Sequence, residues 1–283
     1  MPDFQALIRY IDERRVREGD RIGYSFVREL PPTIRDTFFA VACLKMLKTD
    51  SPDDDIVQFL SGYDDFDFDG AYYAMKSLKL VGAEVEVRDG KIWWCYRGDE
   101  TLRPCNIPNT PLISYFKYEL YGKYGSSIFS SSLSSVLKRI EIDPNSKVDG
   151  LVNAALALLN MGSRQDIMTT YMALKILKAM EGRCCPSTLS SSHIRLITSF
   201  LKRCTTRKGY VASPTTSSMT LESTYAGHKI AKYLKLSRHL GVSSFIDTLQ
   251  NENGGFRRSQ FGGISSLESC YLAMSTISDI SND

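Results

Sequence analysis

Apolar residues recur at helical spacing through most of the chain, and the clearest case lies near its C-terminal end. Phe245, Ile246 and Leu249 have the spacing of one helical face, and Gly254-Gly255 follows as a helix stop. A second helix is expected to start near Glu268, because an acidic side chain suits the positive end of a helix dipole. The pattern therefore predicts two successive helices joined by a glycine turn.

The same kind of helix start recurs along the chain, and each copy carries an aromatic residue that serves as its anchor. The anchors are Phe38, Tyr72, Tyr171, Tyr225 and Tyr271, with a weaker sixth at Tyr115. Their spacing is uneven, but one recurring helix start still predicts a helical repeat architecture. A further amphipathic helix is expected from Phe4 to Arg15.

The last copies resemble a known repeat. The stretch from Phe245 to Phe256, followed by Ser269-Cys270-Tyr271-Leu272-Ala273, is similar to the prenyltransferase/squalene-oxidase repeat of protein prenyltransferase β-subunits and of squalene and class II terpene cyclases. Gly23-Tyr24 and Gly209-Tyr210 look like the starts of further copies. The resemblance implies an α/α toroid, in which inner helices line a central cavity and outer helices surround them. We therefore expect one all-α domain over residues 1–283, an α/α toroid with about six inner and outer helix pairs.

One segment departs from the helical pattern. Glu84 to Val87 alternates polar and apolar residues, Asp89-Gly90 is a tight-turn dipeptide, and Lys91 to Trp94 follows. This combination predicts a β-hairpin. We expect it to be a small insertion at about residues 84–96.

Composition narrows the class of protein. The chain has 283 residues, of which 43% are hydrophobic and 24% charged, as in ordinary globular proteins. A formal net charge of +3 without a basic run argues against nucleic-acid binding. There is no apolar run of membrane-spanning length and no signal-peptide pattern. The seven cysteines lack a disulfide-framework spacing, so we expect reduced thiols in a cytoplasmic protein.

The resemblance also implies a zinc site. In a toroid, the residues three before and one before each anchor should form rings, and these positions include Glu222, Glu268 and Cys270. The family's β-subunits bind zinc through an aspartate and a cysteine at these two offsets and through a histidine of a later repeat. Here glutamate replaces the aspartate, no later repeat supplies the histidine, and Glu222 comes from the preceding copy. Thiolate and carboxylate ligands suit zinc, but helix capping by both glutamates and a core position for Cys270 form the alternative.

A class II cyclase would need a protonated aspartic acid within an Asp-x-Asp-Asp-Thr-Ala motif. Only Asp36-Thr37 remains of that motif, which makes Asp36 the candidate catalytic acid. Arg35 beside it should favour the ionised form, and a helix-capping role is the alternative.

Ligand-binding candidates come from the anchors and from a few charged residues. An apolar cavity lined by aromatic rings suits isoprenoid chains. The candidate ligand-binding residues are Tyr72, Tyr171, Tyr225, Tyr271, His228, Arg257 and Arg258. Ordinary core packing for the tyrosines and His228, and solvation for the two arginines, are the alternatives. Small residues after the anchors, such as Ala173 and Gly227, indicate either unfilled volume or close helix contacts.

The sequence thus predicts a prenyltransferase-like protein that binds an isoprenoid, such as a prenyl diphosphate, in a central apolar cavity. Zinc-assisted transfer of the prenyl group is its expected chemistry, and a partner protein subunit is a possible requirement. One alternative is a non-catalytic toroid that binds an apolar ligand or a partner protein. The other is a class II-type terpene cyclase.

Overall fold

The computed structural model describes residues 2–49, 53–61, 68–88, 91–95, 103–106, 156, 159, 166–180, 189–236 and 241–282. Within these ranges most residues are helical. The helices are α1 (Phe4–Asp12), α2 (Ile34–Met46), α3 (Asp53–Ser61), α4 (Phe68–Leu80), α5 (Ile167–Met180), α6 (Ser191–Cys204), α7 (Leu221–Tyr233), α8 (Gly241–Asp247) and α9 (Leu267–Asn282). The strands are β1 (Arg15–Glu18), β2 (Arg21–Tyr24), β3 (Glu84–Arg88), β4 (Lys91–Cys95) and β5 (Arg103–Asn106).

The chain divides into two compact units. Unit 1 consists of Met1–Tyr118, Leu249–Arg257 and Gly262–Asp283, and it contains α1 to α4, α9 and the strands. Unit 2 consists of Glu119–Thr248 and Arg258–Phe261, and it contains α5 to α8. The anchor Tyr115 and the side chain of Tyr72 lie outside the described residues.

Four of the repeat helices begin with the same kind of cap, five residues before the anchor. In α2 the hydroxyl of Thr33 accepts the Asp36 N–H at 3.0 Å, and in α9 the hydroxyl of Ser266 accepts the Ser269 N–H at 3.0 Å. The caps of α5 and α7 are Asp166 and Thr220. Each cap pairs a backbone N–H that would otherwise lack a partner in the first turn. The recurring helix start seen in the sequence is therefore a recurring cap.

In unit 1 the first and last repeat helices of this sequence are neighbours. Helix α2 packs against both α4 and α9. Its anchor Phe38 lies 5.5 Å from the ring of Tyr271 on α9. A second contact joins distant parts of the sequence. The backbone N–H of Asp3, the residue before α1, donates to Oε1 of Gln250 at 2.7 Å. The N-terminal and C-terminal segments thus build one core together.

The described part of unit 1 contains two hairpins. The predicted one is confirmed, because β3 and β4 pair antiparallel from Glu84 with Cys95 to Arg88 with Lys91. β5 extends it to three strands, which the sequence pattern did not predict. A second hairpin, β1–β2, was also not predicted, because the helical pattern was extended to Arg15. Helix α1 ends at Asp12, and Gly19 with a φ of 60° makes the turn between the two strands.

In unit 2 the repeat helices α5 and α7 pack against each other. Their anchors meet edge to face, with the ring centroids of Tyr171 and Tyr225 5.8 Å apart. Both rings are buried, which is the usual packing of an aromatic pair in a core.

Candidate functional site at the helix starts

In the four repeat helices whose caps are given above, the residues three before the anchor occupy the second position of the helix. They are Arg35 in α2, Met168 in α5, Glu222 in α7 and Glu268 in α9. At this position a carboxylate is stabilised by the positive end of the helix dipole, whatever else it does. Stabilisation of the helix start therefore accounts for the position of both glutamates.

Glu268 forms an ion pair between the first and last repeat helices of unit 1. The Nη2 atom of Arg35 donates to its Oε2 atom at 2.7 Å. Both side chains are about one-third exposed, at 31% and 30%. The Arg35 guanidinium also lies 5.7 Å from the centre of the Phe39 ring. This carboxylate is thus already engaged by a cation.

Cys270 accepts a backbone hydrogen bond in the same unit. It is fully buried, and the Phe256 N–H donates to its Sγ atom at 3.4 Å. Without a metal, burial raises the pKa of the thiol to about 12. At neutral pH the group is then a protonated thiol whose sulfur accepts a hydrogen bond.

Two of the three threonines at the equivalent ring position, Thr37 and Thr224, make the same contact. The Tyr24 N–H donates to Oγ1 of Thr37 at 2.9 Å. The Tyr210 N–H donates to Oγ1 of Thr224 at 3.4 Å. In each case the donor is the aromatic residue that follows a glycine, as Phe256 does. Cys270 thus occupies a position at which, in two other repeats, the side chain accepts a hydrogen bond from the preceding connector and fixes that connector to the helix.

In unit 2, Glu222 forms an ion pair with an arginine of the same unit. The Nε atom of Arg258 lies 2.7 Å from Oε1 of Glu222. The Arg258 carbonyl also accepts the Leu221 N–H at 2.9 Å, which fixes the arginine beside the helix start. The second carboxylate oxygen, Oε2, is buried and has no hydrogen-bond partner in the described part of unit 2.

Zinc fits this arrangement poorly. Each glutamate is paired with an arginine, and the sulfur of Cys270 is occupied by a backbone N–H. Within the ranges that the structure describes, no three His, Cys, Asp or Glu side chains are grouped so that they could hold a metal ion. Zinc ligation by Glu222, Glu268 and Cys270 therefore stays a prediction from the resemblance, and no chemical step is derived through it.

Asp36 is part of the α2 cap. The hydroxyl of Thr33 donates to its Oδ2 atom at 2.9 Å, in addition to accepting its N–H. Burial raises the pKa of this half-buried carboxyl, although the Thr33 hydrogen bond and the charge of Arg35 act to lower it. Arg35 favours the ionised form, as expected, but the effect of burial on the pKa of Asp36 is larger. The capping role accounts for the position of Asp36 without any catalytic function.

Four aromatic rings form a cluster in unit 1, which we call the aromatic cluster. Its members are Phe38, Phe39, Tyr73 and Tyr271, from α2, α4 and α9. Phe38 and Phe39 lie 5.4 Å from each other, and each lies 5.3 to 5.5 Å from the ring centroids of Tyr73 and Tyr271. Three of the rings are buried, whereas Tyr271 is half-buried. Phe39 and Tyr73 were not among the predicted ligand-binding residues, and their position directly after an anchor is the signal that could have identified them.

The remaining candidates of unit 2 lie along α7. Tyr225 is fully buried, and its hydroxyl has no hydrogen-bond partner among the described residues. The ammonium group of Lys229 lies 5.1 Å from the centre of its ring. His228 is buried on the same helix. The neighbouring Gly227 is in close contact, because a Cβ atom there would lie 2.3 Å from Cγ of Tyr210. At this position the close-packing alternative is the one observed.

Arg257 is half-buried and belongs to unit 1. Its N–H donates to the Leu249 carbonyl at 3.0 Å, so its backbone pairs with the chain before the glycine turn. Arg258, as described above, is paired with Glu222.

The helical repeats, their shared caps and the aromatic anchors define a class of α/α repeat proteins. Residues 56–278 match the family described as the prenyltransferase alpha-alpha toroid domain, which covers well over half of the chain. The chain belongs to this family. No curated protein matches it.

The family match confirms the predicted fold class, an all-α toroid with a small β insertion. No helix in the described ranges is long and apolar enough to cross a membrane.

Proposed function

We propose that this protein binds an isoprenoid-type ligand, such as a prenyl diphosphate, against the aromatic cluster of unit 1. The observation that supports this most is the cluster itself, in which four rings lie within 5.5 Å of a neighbour. Aromatic faces suit the branched hydrocarbon of an isoprenoid and attract the positive charge of an allylic cation. Tyr271 is the half-buried member, so it is the ring that a ligand reaches first.

The guanidinium of Arg35 lies beside the aromatic cluster. It is next to the ring of Phe39 and forms an ion pair with Glu268. Guanidinium groups bind phosphate oxygens in a bidentate manner, as they bind carboxylates. A diphosphate would therefore compete with Glu268 for Arg35 while the hydrocarbon lies on the rings. The family relationship supports the same class of ligand.

Prenyl transfer would make the protein an enzyme, and a non-catalytic binding protein is the second candidate. One observation favours the second candidate: Glu222, Glu268 and Cys270 all have structural partners. Such a protein would hold an apolar ligand or engage a partner subunit without chemistry of its own. The cytoplasmic location stays a prediction that rests on the cysteine content.

Ligand-induced stabilisation tests the binding proposal. We expect saturating farnesyl or geranylgeranyl diphosphate, or the free alcohols, to raise the melting temperature by about 5 °C, because a ligand at a hundred times its Kd stabilises the native state. Tyr271→Ser should remove most of this shift. Tyr233→Ser, which changes a half-buried tyrosine of α7 in unit 2, is the matched control and should retain it. If none of the four compounds moves the melting curve, the proposal fails.

Elemental analysis separates the two candidates. Zinc bound in a one-to-one ratio to protein purified without chelators, and lost on Cys270→Ala, would favour prenyl transfer. Cys43→Ala is the control, because Cys43 is also fully buried on a repeat helix. A zinc-free protein that still responds to isoprenoids would favour the non-catalytic candidate.

A further inference from the structure

One long stretch of unit 2 contains no acidic residue. It covers residues 182–221, between Glu181 and Glu222. Its described part, residues 189–221, holds five lysine and arginine residues, all of them exposed: Arg195, Lys202, Arg203, Arg207 and Lys208. These five charges exceed the formal net charge of +3 of the whole chain. The excess positive charge of the protein is therefore concentrated in this stretch.

Helix α6 carries three of the five charges on its outward side. Four residues of α6 are buried and define its inward side: Ile197, Phe200, Leu201 and Cys204. With helical spacing, Arg195, Lys202 and Arg203 fall on the side of α6 that faces away from these residues. The three charges therefore share one solvent-exposed face.

Apolar residues flank these charges. Ile194 and Leu196 are 40% and 41% exposed. By helical spacing they lie at the two edges between the outward and the inward side of α6. The outward face of α6 is thus basic along its middle and apolar at both edges.

The other two charges lie in a turn that is bonded to the end of α6. The Val211 N–H donates to the Cys204 carbonyl at 2.9 Å, which ties the far side of the turn to the last residue of the helix. The Lys208 N–H donates to the Thr206 hydroxyl at 3.3 Å within the turn. Arg207 and Lys208 are both exposed there. They extend the positive charge beyond the helix end.

Stabilisation of the helix explains only part of this charge. Lys202 and Arg203 lie in the last turn of α6, where cations interact favourably with the helix dipole. Arg195 lies near the start of α6, and Arg207 and Lys208 lie outside it. Among the described residues, none of the observed ion pairs involves any of the five side chains. The positive charge of this stretch is therefore not neutralised by described parts of the protein.

We infer that this surface binds an anionic phospholipid bilayer. We call it the basic face, and it consists of Ile194, Arg195, Leu196, Lys202, Arg203, Arg207 and Lys208. A cluster of four or more lysine and arginine residues on an amphipathic helix is attracted by the negative potential of an anionic bilayer surface. Exposed apolar side chains beside the charges add contact at the boundary between headgroups and acyl chains. The face and the bilayer surface are thus complementary in charge and in polarity.

The composition of the basic face favours a bilayer over a protein or a nucleic acid. Protein interfaces are anchored by aromatic side chains and are poor in lysine. Single-stranded nucleic acids stack on aromatic side chains. No exposed residue of α6 is Phe, Tyr, Trp or Met. A diffuse anionic surface requires no such anchor. The inference concerns α6 and the turn after it, so it holds whether or not the aromatic cluster binds an isoprenoid.

Co-sedimentation with vesicles of equimolar phosphatidylcholine and phosphatidylserine tests this inference. We expect the full chain to sediment with these vesicles in low salt and to dissociate as salt screens the charges. With pure phosphatidylcholine it should stay in the supernatant. Arg195→Gln/Lys202→Gln/Arg203→Gln should lower the binding constant roughly a hundredfold, because each basic side chain near an anionic bilayer contributes about a factor of five. Ile194→Ser/Leu196→Ser, which keeps the charges, should lower it about fivefold.

Arg9→Gln/Arg17→Gln/Arg28→Gln is the matched control. It removes three exposed charges from unit 1, each with an acidic residue within four positions in the sequence, and should leave binding nearly unchanged. All substituted side chains in the two triple variants are exposed, so both should keep the melting temperature of the unaltered protein.

Four results would overturn the inference. In the first, the unaltered protein stays in the supernatant with the anionic vesicles. In the second, it binds pure phosphatidylcholine vesicles equally well. In the third, the control variant loses as much binding as the α6 triple variant. In the fourth, polyglutamate or duplex DNA displaces the protein from the vesicles at an equal concentration of negative charge, which would assign the basic face to an acidic protein or to a nucleic acid.

Discussion

The backbone N–H of Phe256 donates to the sulfur of Cys270 across 3.4 Å, and this contact ties a connector to the repeat helix that follows it. Thr37 and Thr224 do the same for the backbone of Tyr24 and Tyr210. The position one before the anchor is therefore a hydrogen-bond acceptor in three repeats. In the last repeat a thiol takes the place of a hydroxyl.

Replacing Cys270 with threonine or valine tests this role. Cys270→Thr supplies the acceptor that two other repeats use, and it should leave the free energy of unfolding nearly unchanged. Cys270→Val has the same shape as the threonine variant but leaves the Phe256 N–H buried without a partner, which costs about 1–3 kcal/mol. Urea denaturation of both variants measures the difference.

Thr37→Val is the companion variant, because it removes the same acceptor from the first repeat. We expect a loss of similar size, about 1–3 kcal/mol. Equal stability of the threonine and valine variants at position 270 would show that the contact contributes nothing.

Alkaline pH should destabilise the protein through its buried acidic groups. Burial raises the pKa of Cys270 from 9.0 to about 12 and the pKa values of Tyr24 and Tyr210 from 10.0 to about 12. The unfolded state therefore loses its protons first as the pH rises. The free energy of unfolding should be unaffected by Cys270 below pH 9, and the contribution of its thiol is lost as the pH rises towards 12. Urea midpoints measured across that range provide the test.

The share of Cys270 in this effect can be isolated. At about pH 10 the loss from one thiol with an unfolded pKa near 9 is about 1.4 kcal/mol. Cys270→Thr carries no ionisable group and should lose that much less stability between neutral pH and pH 10. A parallel decline of the two proteins would contradict the assignment.

Gly227 should tolerate no larger residue. A Cβ atom would lie 2.3 Å from Cγ of Tyr210, so Gly227→Ala forces the tyrosine or the helix to move at a cost of about 1–3 kcal/mol. Thermal unfolding of the single variants and of Gly227→Ala/Tyr210→Ala forms a double-mutant cycle. We expect the alanine at 227 to cost little once the tyrosine ring is gone. An undiminished cost in that background would mean that the contact with Tyr210 is not the cause.

The ion pair between Arg35 and Glu268 should contribute modestly to stability. Its side chains are about one-third exposed, so we expect Glu268→Gln to cost about 0.5–1 kcal/mol in low salt and less in high salt. The swapped pair Arg35→Glu/Glu268→Arg should recover part of the loss, because the helix dipole then favours the glutamate at the start of α2 and disfavours the arginine at the start of α9. Chemical denaturation at two salt concentrations is the measurement. No recovery on swapping would argue that each residue acts alone through its own helix.

Local features of the fold could be predicted from the sequence. The helix starts depend on caps such as Thr33 and Ser266, which lie within one turn of the apolar residues they precede. The β3–β4 hairpin followed from alternation around Asp89-Gly90. The β1–β2 hairpin was missed because its strands are only four residues long and half of their residues are charged, although Gly19 marked the turn.

The candidate site was less predictable, because its contacts join distant parts of the chain. Nothing in the sequence around Glu268 indicates that its partner is Arg35, 233 residues away. The role of Cys270 did leave a signal, since a glycine and an aromatic residue precede Thr37, Thr224 and Cys270 at nearly the same distance. The resemblance to a zinc-binding repeat implies metal ligation by Cys270, whereas Thr37 and Thr224 at the same position are hydrogen-bond acceptors.

The packing of α2 against α9 has a consequence for synthesis on the ribosome. At about 5–20 residues per second, roughly 10–50 s pass between translation of Arg35 and translation of Glu268. During that time the face of α2 that α9 covers, including the ring of Phe38, has no native partner from the end of the chain. Unit 1 therefore completes its core only after α9 has left the exit tunnel, and until then the nascent chain exposes aggregation-prone surface.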